Sequence, residues 1–149
     1  MFIGREEELN FLEDRYNSAD GQLIVLYGRR RVGKTELLRQ FCQDKEHIFY
    51  TCTEIIDEKQ LEAFSQRLLE KNHQAAKYIP HFSDWEQALL SISELAKEKK
   101  IVVVIDEFPY MVKGNNAIPS ILQKLWDEVL KQSTVMLILC GSAMSFIEQ

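Results

Sequence analysis

Two short groups of residues in this 149-residue chain have the types and spacing that chemistry requires. The first is Gly28-Arg29-Arg30-Arg31-Val32-Gly33-Lys34-Thr35, which fits the pattern GxxxxGK[ST]. Its glycines let the backbone curl without side-chain clash, so that consecutive amide N–H groups point into one concavity suited to phosphate oxygens. A helix starting near Gly33 adds the positive end of its dipole. Lys34 supplies a mobile ammonium for the β- and γ-phosphates of a nucleotide, and the Thr35 hydroxyl is a hard oxygen suited to Mg²⁺. The candidate nucleotide-binding residues here are Gly28, Arg31, Val32, Gly33, Lys34, Thr35 and Glu36. Arg29 and Arg30 read as a solvated loop tip. Arg31 either shares that tip or adds positive potential beside the phosphates.

The second group ends an apolar run, Ile101-Val102-Val103-Val104-Ile105-Asp106-Glu107. Alternation along a strand sends two adjacent carboxylates in different directions. Asp106 can then hold Mg²⁺ through water as the acidic partner of Thr35, while Glu107 orients or deprotonates an attacking water. A GTPase-like switch usually lacks the second carboxylate, and no NKxD guanine-reading motif occurs in the chain. Phe108-Pro109-Tyr110 turns the chain away, its aromatics read as packing groups.

The elements that must position these groups follow from hydrophobic periodicity. Helical spacing covers residues 5–17, with Leu9, Leu12 and Tyr16, and residues 34–43, with Leu37, Leu38 and Phe41. It recurs after Asp57, a candidate cap for Leu61, Phe64, Leu68 and Leu69, and after a Ser83/Glu86 capping box ahead of Trp85, Leu89, Ile92 and Ala96. Pro119 suits the first turn of a helix burying Ile121, Leu122, Leu125, Trp126 and Val129. Apolar or β-branched runs at 23–27, 48–53, 101–105 and 135–140 read as strands, and another helix begins after Ser142. Apolar strands alternating with amphipathic helices imply a parallel α/β sheet covered on both faces, with ligands beyond the carboxyl ends of the strands.

Composition supports one compact domain. Hydrophobic residues make up 46% and charged residues 28%, and the formal net charge is −5. That balance excludes a disordered tail or a disulfide-stapled miniprotein, and it gives no global attraction to nucleic acid or an anionic membrane. Three cysteines without CxxC spacing, Cys42, Cys52 and Cys140, read as buried free thiols of a reducing, cytoplasmic environment. No apolar run approaches the length of a membrane span. Lys97-Glu98-Lys99-Lys100 reads as the solvated end of a helix, and Gly114-Asn115-Asn116 as a flexible polar turn.

Phe2-Ile3-Gly4-Arg5-Glu6-Glu7-Glu8-Leu9, the arginine-rich phosphate loop, Ile105-Asp106-Glu107-Phe108-Pro109-Tyr110 and Leu139-Cys140-Gly141-Ser142 together resemble the archaeal-type ATPase family, in the AAA+/STAND group of P-loop NTPases. The resemblance runs across nearly the whole chain. It implies a three-layer ASCE-type sheet of strand order 1-4-3-2. It places Ile3, Gly4 and Arg5 near the adenine, although Gly4 and Arg5 equally suit the start of the first helix. Ser142 takes the position of a γ-phosphate sensor where relatives often carry Asn or Thr, and a helix N-cap explains it nearly as well. Relatives continue with a fifth strand, a helical lid with a second sensor, and further domains. On that basis the chain reads as an incomplete ATPase core, residues 1–149, lacking the lid and an assignable arginine finger.

The implied function is ATP binding and Mg²⁺-dependent hydrolysis, with Lys34, Glu107 and Ser142 as catalytic residues and Thr35 and Asp106 at the metal. The alternative is a nucleotide-dependent switch with slow hydrolysis. A small-molecule kinase would need an acceptor-binding lid that the sequence does not show. Self-association through an unpaired sheet edge, and a DNA or protein partner met through further domains, complete the expectations.

Overall fold

The computed structural model describes residues 5–28 and 33–142, with Arg5, Tyr27 and Ser142 described by their backbone alone. Four strands, β1 (Gln22–Gly28), β2 (His47–Thr51), β3 (Val102–Asp106) and β4 (Met136–Ser142), form one parallel sheet. Its order is β1-β4-β3-β2, the order expected from the resemblance. The helices are α1 (Arg5–Tyr16), α2 (Lys34–Cys42), α3 (Asp57–Leu69), α4 (His73–Ala76), α5 (Trp85–Glu98), α6 (Phe108–Gly114) and α7 (Ile118–Glu128). A 3₁₀ turn at Leu130–Gln132 leads into β4. Among the described residues no helix is long and apolar enough to cross a membrane. The helix expected after Ser142 lies outside the described residues.

Strand alternation divides the core in two. Ile24, Phe49, Val102, Val104, Met136, Ile138 and Cys140 share one face with Leu12 of α1 and with Leu37, Leu38, Phe41 and Cys42 of α2. Ile48, Tyr50, Val103, Ile105, Leu137 and Leu139 share the other with α3, α5, α6 and α7. The central strands β3 and β4 are buried on both faces, which is why they read as unbroken apolar runs. β1 lies at one end of the sheet, and its Leu23 and Val25 remain 39% and 47% exposed. Lys45 ties the first face together: its Nζ donates to Glu13 Oε2 at 2.7 Å and to the Phe41 carbonyl at 2.9 Å.

Several local readings shift. Asp57 is the first residue of α3 rather than its cap. Its carboxylate instead accepts from Trp85 Nε1 at 2.8 Å and Asn115 Nδ2 at 3.3 Å, joining α3, α5 and the turn after α6. Asp84, not Ser83, caps α5 by accepting from the Gln87 amide. Asn115 is held rather than loose, since its Oδ1 also accepts from the Ala117 amide. Lys100 does not simply face water: its Nζ donates to the Ser18 carbonyl at 3.0 Å, and burial holds its pKa below the usual lysine range. Pro119 stands in the first turn of α7 as expected, although Ile121 and Trp126 are only partly buried.

Gly21 sets the start of β1. Its amide donates to the Lys131 carbonyl, and a Cβ there would lie 2.7 Å from the Leu130 carbonyl oxygen. Gly21→Ala must therefore push the β1 start away from the 3₁₀ turn, with an expected stability loss of about 1–3 kcal/mol, typical of overpacking. Chemical denaturation checks this.

The three cysteines are buried free thiols. Burial pushes Cys42 from the ordinary 9.0 up to about 12, and Tyr50 from 10.0 to about 12. Between those limits the folded chain keeps protons that the unfolded chain has lost, so stability falls as pH rises. The thermal midpoint is therefore expected to drop as pH climbs from about 9 towards 12. A Cys42→Ala variant should flatten part of that slope, whereas a slope unaffected by the substitution would contradict the assignment.

Candidate functional site

The phosphate-loop motif begins where β1 ends. Gly28 is the last residue of β1 and pairs in register with Ser142, the last residue of β4. Arg31 and Val32 fall outside the described residues, as do Ile3 and Gly4. The backbone of Arg5 opens α1. On the far side of the loop, Gly33 adopts a left-handed conformation (φ 78°) that only glycine takes without strain, and it occupies the N-cap of α2. Its carbonyl accepts the first helical hydrogen bond, from the Leu37 amide at 2.8 Å. A glycine brings no side-chain oxygen to cap Lys34, Thr35 and Glu36, so their amides head the helix as an anion-facing end. Lys34 and Thr35 are half-buried, and Glu36 is exposed.

Parity then brings the acidic strand to this helix. Asp106 shares the face of Val102 and Val104, on which α2 packs, and it is 4% exposed. Thr35 Oγ1 donates to Asp106 Oδ2 at 3.0 Å, across 71 positions of sequence. The other carboxylate oxygen, Oδ1, accepts from the Glu107 amide at 3.0 Å and from the Cys140 thiol at 2.8 Å. A buried anion is costly unless hydrogen-bonded, and three donors meet that requirement here. Burial, together with the neighbouring Asp106 carboxylate, pushes the Cys140 thiol well up, while Lys34 draws it back slightly. The thiol is therefore a proton donor at neutral pH. The Cys52 thiol, raised chiefly by burial, feels the charges of Asp106 and Glu107 from the β2 side. Its amide donates to the Asp106 carbonyl at 2.8 Å.

Glu107 is oriented differently. It leaves the strand in a left-handed conformation (φ 55°, ψ 41°) and forms the N-cap of α6, with 9% of its surface exposed. Left-handed backbone costs a non-glycine residue roughly 1–2 kcal/mol, and such strain concentrates at functional sites. The helix that follows is anchored at both ends. Phe108 is buried in the core, as expected for a packing aromatic, while Tyr110 is 38% exposed. At the far end Lys113 Nζ donates to Glu54 Oε2 at 2.6 Å, and Asn115 reaches Asp57.

A Gly-Lys-Thr helix start hydrogen-bonded to a buried strand-end aspartate, with a second carboxylate directly after it, is the arrangement expected of a nucleotide-hydrolysing core. The family described as an ATPase domain predominantly from Archaea matches residues 2–149. The chain belongs to that family. This archaeal-type ATPase domain is 35% identical over 147 residues to protein MJECL04 of Methanocaldococcus jannaschii, covering 99% of this chain and 31% of that one. It is 54% identical over 46 residues to the ATP-binding protein MJ0423 of the same organism, covering 31% of this chain and 78% of that one. Among solved structures, the Walker-type ATPase paby2304 of Pyrococcus abyssi superposes with a TM-score of 0.64 at 24% identity, covering 94% of this chain and 45% of that one. The Aeropyrum pernix ORC2 protein, solved as ADPNP–ADP complexes, gives 0.56 at 14% identity, covering 93% and 39%. The two structural likenesses establish the P-loop ATPase fold. The chain spans 31% of the length of MJECL04, the relative it matches almost end to end.

The structure adds two features to the candidate site that the motifs alone do not supply: the Cys140 donor to Asp106 and the left-handed backbone at Glu107. Alternation places 106 and 140 on one face, but only the β3–β4 neighbour relation makes them meet. Glu107→Gly and Glu107→Ala both give up the side-chain contacts of a residue that is 9% exposed, but only Gly relieves the left-handed backbone strain of roughly 1–2 kcal/mol, so Gly should be the more stable of the two. A Gly variant no more stable than the Ala variant in chemical denaturation would contradict strain at 107.

Proposed function

We propose that the domain binds ATP and hydrolyses it to ADP and phosphate in a Mg²⁺-dependent reaction. The observation that carries this reading is the hydrogen bond between Thr35 Oγ1 and Asp106 Oδ2. It brings a hydroxyl and a carboxylate, both hard oxygen donors, to one point at the head of α2. The donor set fits Mg²⁺: the two oxygens are 3.0 Å apart, matching the roughly 3.0 Å edge of an octahedron with ligands at about 2.1 Å. In this reading Thr35 and Asp106 hold the ion, directly or through its water. When bound, it neutralises charge on the β- and γ-phosphate oxygens.

The chain's own groups do the remaining work. Amides at Gly33, Lys34, Thr35 and Glu36 orient the phosphates at the helix end, with Gly28, Arg31 and Val32 completing the loop. The Lys34 ammonium stabilises charge developing on the β–γ bridging and γ-oxygens. Glu107, held apart from Asp106 by its left-handed backbone, accepts a proton from water as the water oxygen attacks the γ-phosphorus. The bond from that phosphorus to the bridging oxygen breaks, and ADP leaves with the electron pair. Ser142, the last residue of β4 and the register partner of Gly28, is proposed to report the γ-phosphate, on the family pattern. Ile3, Gly4 and Arg5 are proposed to meet the adenine, on the family pattern.

Phosphate release by the purified chain tests this. Glu107→Gln is expected to lower single-turnover hydrolysis by about 10²–10⁴-fold while keeping nucleotide affinity. Lys34→Ala is expected to lose affinity itself. Hydrolysis unchanged by Glu107→Gln would remove Glu107 from the mechanism and favour the slow switch.

A further inference from the structure

We infer that Cys140 is a positioning residue for the metal pair, its thiol holding Asp106 in the rotamer that turns Oδ2 towards Thr35. This inference rests on the reading of Thr35 and Asp106 as the Mg²⁺ pair. Three observations carry it.

The first is the division of labour on the carboxylate. Cys140 Sγ and the Glu107 amide both donate to Oδ1, at 2.8 and 3.0 Å, whereas Thr35 alone among the described residues donates to Oδ2. One oxygen is therefore occupied from the sheet side, and the other is presented to the head of α2. The second is geometry. Cys140 lies on the central strand β4, is 1% exposed, and shares the apolar face of Ile138 and Phe41, so its sulfur has little freedom to move. A cysteine in such a core would ordinarily serve as a small apolar filler. Here it faces a buried anion.

The third is chemical. The carboxylate must keep enough negative charge to attract a cation. A thiol is a weak donor, so it orients the oxygen without competing strongly for its electrons. A lysine or arginine at this position would orient Asp106 but neutralise it. Groups that hydrogen-bond a metal-binding carboxylate generally matter about 10–100-fold for metal affinity.

The test is the Mg²⁺ dependence of binding of a fluorescent ATP analogue to the whole chain. It is measured for the natural protein and for Cys140→Ala, Cys140→Val and Cys140→Ser, with each variant's thermal midpoint recorded alongside. Ala and Val remove the donor, and Val keeps most of the volume. Ser keeps a donor. The expected result is a rise of about tenfold or more in the half-saturating Mg²⁺ concentration for Ala and Val. Analogue affinity in EDTA should be unchanged, and Ser should stay near the natural protein. Should Ala fail to fold, the Ser and Val pair carries the comparison. Equal Mg²⁺ dependence in Val, Ser and the natural protein overturns the inference, as does a loss in Ser equal to that in Val. If the natural protein itself binds the analogue without regard to Mg²⁺, the metal-pair reading falls and the role of Cys140 falls with it.

Discussion

The hydrogen bond from Thr35 to Asp106 is the constraint on which the rest of the structure converges. It joins the first turn of α2 to the last residue of β3, and it forms only if several independent conditions hold. β3 must be central, so that its end is buried. Asp106 must have the parity of Val102 and Val104, so that its side chain emerges on the α2 face. β1 must end at Gly28, level with Ser142 on β4, so that the loop returns at the correct height. Each condition is met by ordinary packing: unbroken apolar strands in the middle, helices on both faces, and Gly21 fixing where β1 begins.

A buried carboxylate poses an energetic problem that the surrounding residues resolve. Among the described residues, Asp106 is met by hydroxyl, amide and thiol donors rather than by a positive side chain in direct contact. Its charge is therefore stabilised by dipoles and stays available to a cation. Glu107 is separated from it by backbone conformation. A right-handed residue at 107 would continue the chain along a different course. The left-handed one ends the strand and starts α6, which the Lys113–Glu54 and Asn115–Asp57 contacts then hold. The left-handed backbone at one residue thus separates two adjacent acids, as the proposed division of roles between them requires.

Much of this was legible in the residues. The Gly33-Lys34-Thr35 turn and the run ending in Asp106-Glu107 mark the candidate site, because that glycine spacing suits a helix-start turn and an unbroken apolar run suits a buried strand, and the structure brings the two together. Strand order was less accessible. Periodicity shows that the strands are parallel, but the insertion of β4 between β1 and β3 came from the family resemblance. Cys140 looked like one more buried thiol, since nothing local links it to an aspartate 34 positions away. Asp57 looked like a cap because its competing partners, Trp85 and Asn115, are distant in sequence. Ser83 and Asp84 are both good caps side by side, and only the helix start chooses between them. Asp57 shows the general difficulty: a short polar side chain takes whichever partner tertiary packing delivers.

The most direct measurement is a crystal structure of the chain with a non-hydrolysable ATP analogue and Mn²⁺ in place of Mg²⁺, read by anomalous scattering. The expected result is one strong manganese peak between the Thr35 hydroxyl and the Asp106 carboxylate, touching the analogue's terminal phosphates at the head of α2. A peak elsewhere with that cleft empty, or an analogue bound with Thr35 still donating to Asp106 and no ion between them, would contradict the account.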